Sequence, residues 1–151
     1  MRIKKLSAAL IVLLLCAGLS ACGKTTAETV QIEEASKTMI MIIGDTEVPV
    51  IWEDNASVTE LSDLAKEGLK IPMSMYGGFE QVGSIGHSIT RNDKQTTTSA
   101  GDIVLYSGNQ LVVFYGSNSW AYTRLGRIDL SQDELTKLLS DGDVAITLKI
   151  D

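Results

Sequence analysis

From Thr38 onward, apolar residues come in short bursts separated by turn residues, a rhythm that predicts short strands with two helices set among them. Thr38–Ile43 and Thr46–Trp52 are β-rich runs flanking Gly44-Asp45, which reads as a hairpin, and Pro49 assigns the second run to a sheet edge or bulge because proline cannot donate to a ladder. Ser57-Val58-Thr59-Glu60 has the form of a capping box. Val58, Leu61, Leu64, Ala65 and Leu69 follow at helical spacing, with Gly68 as the stop. On this reading Ser57→Ala costs on the order of 1 kcal/mol.

Leu69–Met75 and Phe79–Ile85 read as strands around Gly77-Gly78, whereas Thr90–Ser99 carries no apolar face and reads as a surface loop. The clearest hairpin joins Asp102–Tyr106 to Leu111–Tyr115 around Gly108-Asn109. Tyr122–Ile128 is a further strand. A second capping box, Ser131-Gln132-Asp133-Glu134, opens a helix with Leu135, Leu138 and Leu139 inward and Gly142 at its end, and Asp143–Ile150 alternates as a last strand. Seven or eight short strands with two capped helices predict a mainly β fold, a closed antiparallel barrel of about eight strands plugged at its ends by helices.

Upstream the pattern changes. Arg2, Lys4 and Lys5 precede an apolar run of 16 residues, Leu6–Ala21, which is shorter than the roughly 20 needed for a span. It ends in Leu19-Ser20-Ala21-Cys22, the form of a bacterial lipobox. The expected organisation is a lipoprotein signal peptide over 1–21, lipidated Cys22 with a polar tether over 22–37, and a folded domain over 38–151. The expected location is the bacterial cell membrane or outer envelope, extracytoplasmic and anchored by the acyl chains (palmitate or similar) on Cys22, whose number makes attachment stable. Gly18–Thr25 also fits the phosphate-loop pattern, but no strand precedes it and a polar linker follows, so it has no means of aiming backbone N–H groups at a phosphate.

Charge and chemistry narrow the function by exclusion. Beyond Cys22 stand 10 Lys and Arg against 19 Asp and Glu, a net of −9, which disfavours nucleic acid as a partner. Cys16 leaves with the signal and Cys22 is blocked by lipid, so no intrachain disulfide is expected. No segment has metal-ligand spacing, and no metal or cofactor is expected. Neither a GxSxG elbow nor a Ser-x-x-Lys motif is present to support hydrolysis. His87, the single histidine, reads as an exposed loop residue. Asp102, Asp129, Asp141 and Asp143 sit beside turns or element ends, where Asp supports local backbone.

The element order, with the stretches AGDIVLY (Ala100–Tyr106), NQLVVFYGSNSWAYTRLGRI (Asn109–Ile128) and GDVAITL (Gly142–Leu148), resembles the bacterial cyclophilin-like domain family over about Met39–Ile150. The resemblance implies an eight-stranded barrel with two helices. Cyclophilins catalyse prolyl cis–trans isomerisation with an arginine on the strand after the first helix and a following Phe-Met-x-Gln-x-Gly stretch. Here Leu69–Met75 contains no arginine, Lys70 lacks its rigid fork of donors, and Phe79-Glu80-Gln81-Val82-Gly83 echoes the second motif one residue short.

The resemblance also sets Met73, Met75, Phe79, Phe114, Trp120 and Tyr122 on strands and loops bordering a cleft, where such side chains make adaptable apolar pockets. The candidate ligand-binding residues are Trp120, Phe114, Tyr122, Arg124, Met73, Phe79, Gln81 and His87. Met73, Phe114 and Tyr122 read first as core and second as cleft. Trp120, after a polar turn, is the most exposed candidate, and Arg124 either faces the cleft beside Tyr122 or serves as a surface ion-pair partner. The function expected is a lipid-anchored module that binds a peptide or a small apolar ligand without catalysis. The alternative is a surface-tethered prolyl isomerase assisting the folding of exported proteins.

Overall fold

The computed structural model describes residues 38–151; the expected signal peptide, Cys22, the expected tether and the Gly18–Thr25 pattern lie outside the described residues. The strands are β1 (Met39–Ile43), β2 (Thr46–Val48), β3 (Val50–Trp52), β4 (Leu69–Pro72), β5 (Ser74–Tyr76), β6 (Glu80–Ser84), β7 (Lys94–Thr97), β8 (Asp102–Tyr106), β9 (Gln110–Phe114), β10 (Ser119–Ile128) and β11 (Ala145–Ile150). The helices are α1 (Ala56–Ala65), between β3 and β4, and α2 (Gln132–Leu139), between β10 and β11.

All pairings are antiparallel and fall into two sheets. One has the order β2-β1-β11-β4, the other β3-β10-β8-β9-β6-β5, with β7 added along the outer part of β10. Two runs read from sequence as single strands are each broken in two, and each supplies both sheets. Pro49 separates β2 from β3, its carbonyl accepting from Asp129 N at 2.9 Å, and Met73 separates β4 from β5 while its N–H donates to Val144 O at 2.8 Å. The second corner presses on Gly83, where a Cβ would lie 2.5 Å from Met73 Sδ and 2.6 Å from Pro72 O, so β6 can cross there only with glycine.

The main core lies between the sheets. Met39, Met41 and Ile43 of β1, Ile146 and Leu148 of β11, Ile103 and Leu105 of β8, and Leu111 and Val113 of β9 are buried together, and the helices add Leu61, Ala65, Leu135 and Leu139. The alternation that places these side chains inward sends Val104, Val112 and Phe114 to the opposite face of the second sheet, where they are also buried, in a separate cluster with Tyr122. That is why β8 and β9 read as continuous apolar runs.

The α2 cap matches its sequence: Ser131 Oγ accepts from Glu134 N at 3.4 Å while the Glu134 carboxylate accepts from Ser131 N at 2.9 Å. The α1 cap differs. Asn55 is the N-cap, its Oδ1 accepting from Val58 N at 3.0 Å, and Ser57 sits buried within the helix, donating to Thr90 O at 2.6 Å. Glu60 accepts from Thr90 N at 2.8 Å rather than closing a box. The predicted Thr90–Ser99 loop also contains β7, in register with β10 from Ser119↔Thr97 to Tyr122↔Lys94. Its Lys-Gln-Thr-Thr sequence buries no apolar side, so a backbone ladder holds it without leaving a hydrophobic signature.

Candidate functional site

The outer face of the second sheet carries a cleft of about 310 Å³. Strand parity builds it. Tyr76 comes from β5, Glu80 and Val82 from β6, Tyr106 from β8, Gln110 and Val112 from β9, and Trp120 and Tyr122 from β10, while Asn118 comes from the turn before β10. Register sets Tyr76 opposite Glu80, Glu80 opposite Phe114, and Tyr106 opposite Gln110, so neighbouring side chains on one face converge.

Of the chain's eight aromatic residues, four line this cleft and two more, Phe79 and Phe114, pack beneath it. The Tyr122 ring meets Tyr106 edge to face at 6.1 Å and Phe114 at 5.8 Å, the offset geometry that aromatic quadrupoles favour. Asn118 Nδ2 donates to Tyr122 Oη at 3.1 Å, fixing the phenol while its ring supplies the wall. Trp120 and Tyr76 stand at the rim, 57% and 67% exposed.

Glu80 is the one charged residue in the lining. It is only 6% exposed, and its Oε2 is buried without a hydrogen-bond partner. Burial pushes its carboxyl above the usual carboxylate range. Burial first, and then the Glu80 charge, push the Tyr115 and Tyr122 phenols up as well.

The sequence candidates divide by strand parity. Trp120 and Tyr122 line the cleft. Phe114 is fully buried beneath it, and Phe79 packs against the same cluster. Met73 and Gln81 face away: Met73 belongs to the main core, and Gln81, also fully buried, donates through Nε2 to Leu139 O and Gly142 O, both at 2.7 Å. A residue next to Glu80 in a strand must point to the other face, so the echo of a glutamine motif at this position does not bring its amide to the cleft. Met75, likewise between Ser74 and Tyr76, packs on the main core. Arg124 Nη2 pairs with Asp102 Oδ1 at 2.9 Å and Nε lies 3.8 Å from Glu53, the ion-pair role left open by the sequence. His87 is exposed in the loop after β6 and is not in the lining.

Missed from sequence were Tyr76, Glu80, Val82, Tyr106, Gln110, Val112 and Asn118. Their signal was parity: once Tyr122 is outward, the register across β8, β9 and β6 selects these positions in turn. Among the described residues, no group of three or more His, Cys, Asp or Glu side chains is placed to hold a metal ion. A model of the cyclophilin-like family matches residues 41–150. No curated protein and no solved structure gives a significant match.

Proposed function

The chain belongs to the cyclophilin-like family, and from that premise we propose that it is a lipid-anchored bacterial extracytoplasmic protein whose outer-face cleft binds a peptide segment or small ligand without catalysing isomerisation. The observation that carries the reading is the cleft itself, a concave site with a buried aromatic floor and a few polar groups. Isomerisation by the cyclophilin route needs a guanidinium at the substrate amide. No arginine or lysine is in the lining, and Arg124 is engaged by Asp102. The isomerase alternative draws its support from family membership, and turnover discriminates the two.

On the same reading the two sheets close on each other. Because Thr46–Trp52 and Leu69–Tyr76 each give a strand to both sheets, the order β1, β2/β3, β10, β8, β9, β6, β5/β4, β11 returns to β1, which supports closure as an eight-membered barrel.

Anchoring rests on the basic start, the apolar run and Leu19-Ser20-Ala21-Cys22. The ligand test is a thermal-shift and NMR screen with apolar and prolyl peptides. Trp120→Ala should abolish or weaken binding by about tenfold, in line with an aromatic hot spot, while leaving the melting temperature nearly unchanged, since the ring is largely exposed. Unaltered binding in that variant removes the cleft from the account.

A further inference from the structure

A buried carboxyl group lacking a partner is a costly thing for a fold to keep. Glu80 stands in a strand between cross-strand neighbours Tyr76 and Phe114, is 6% exposed, and leaves Oε2 without a hydrogen bond. Ionised in that position, Oε2 has lost water and has no hydrogen bond in return. The cleft offers Glu80 no internal counter-charge, because no lysine, arginine or histidine lines it and the Arg124 guanidinium of β10 is paired with Asp102. What surrounds it instead is aromatic. The negative face of a tyrosine or tryptophan ring attracts a cation, most strongly where water is excluded.

Resting on the reading of this cleft as a ligand site, we infer that its ligand carries a compact organic cation, an alkylammonium group held among Tyr76, Tyr106, Trp120 and Tyr122 and paired with the Glu80 carboxylate. The ligand supplies the missing partner, and the unpaired acid becomes half of an ion pair. A volume of about 310 Å³ suits a small group of this kind rather than a large planar cofactor. The excess of acidic residues beyond Cys22 favours the approach of a cation. The same chemistry has two sources, a lysine side chain of a peptide or a free quaternary amine.

The test titrates the 15N-labelled full chain in detergent with matched pairs. Tetramethylammonium is set against neopentyl alcohol, and N-acetyl-lysine methylamide against N-acetyl-norleucine methylamide, with the Trp120 indole and Gln110 carboxamide signals as reporters. The cationic member of at least one pair should bind about tenfold more tightly than its neutral match, and Glu80→Gln should bring that ratio close to one. The pair with the stronger preference identifies the source. Should Glu80→Gln fail to fold, Trp120→Ala takes its place and should also reduce the ratio. Neutral members binding as well as cationic ones, or a preference that survives Glu80→Gln, overturn the inference and leave the cleft reading standing. Cleft signals indifferent to all four probes and to Xaa-Pro peptides overturn both.

Discussion

Glu80 separates what burial does to stability from what it does for binding. Its folded-state pKa lies above the unfolded value because burial disfavours the charged form, with the Tyr115 and Tyr122 phenols beside it. A group raised in the folded state lends stability that is fully present below its unfolded pKa and lost as pH climbs through the folded one. Glu80→Gln should therefore melt higher than the wild type at pH 8, and the two curves should converge near about pH 4. Thermal melts across that range check it, and a pH-independent gap removes the carboxyl as the cause. Sequence hid this residue for a simple reason. A glutamate in a short strand reads as a solvated position, and only the register across β5 and β9 places it under aromatic rings. Trp120 was legible as a surface residue because a tryptophan directly after a polar turn is placed to stand there, whereas Tyr122, read first as core, is buried and also walls the cleft.

Among the elements, α1 distinguishes a cap from a tertiary anchor. Local sequence points to Ser57 as the cap because Glu60 stands three residues on, but the N-cap is Asn55. Tertiary contact decided otherwise, since Thr90 takes both the Ser57 hydroxyl and the Glu60 carboxylate, whose pKa those hydrogen bonds to Thr90 lower. Asn55→Ala should cost about 1 kcal/mol through the lost cap. Ser57→Ala should cost about 1–2 kcal/mol through an orphaned Thr90 carbonyl, with faster amide exchange around Thr90 rather than fraying at the helix start. Denaturant melts and hydrogen exchange on the two variants separate the mechanisms. Other elements follow the same division. The β8–β9 hairpin, the α2 capping box and β11 were legible because turn chemistry, capping and periodicity agree there. β7 was not, because Lys94–Thr97 owes its place to β10's backbone and to Thr98 and Ser117 beside it, whose hydroxyls bond to Asn118 O and Thr98 O. The breaks at Pro49 and Met73 differ in kind: proline announced the first, while the second depends on a crossing over Gly83 that no local pattern encodes.

At the scale of the whole molecule, the family fold carries a candidate cleft, and the anchor stands as a proposal drawn from the sequence. The proposed anchor predicts that Cys22→Ala abolishes incorporation of labelled palmitate and blocks signal removal, whereas an unmodified wild-type protein withdraws the lipoprotein proposal. The site's central claim is binding without isomerisation, because the cleft offers rings, amides and one acid but no guanidinium. Exchange NMR on the full chain mixed with Xaa-Pro peptides tests it most directly, since one spectrum reports contact with the cleft and the rate of cis–trans interconversion, which unaided takes tens of seconds or more. Binding without catalysis predicts shifted Trp120, Tyr122 and Gln110 signals with interconversion at its unaided rate. Accelerated interconversion, lost on Trp120→Ala, would contradict it and make the cleft an isomerase site.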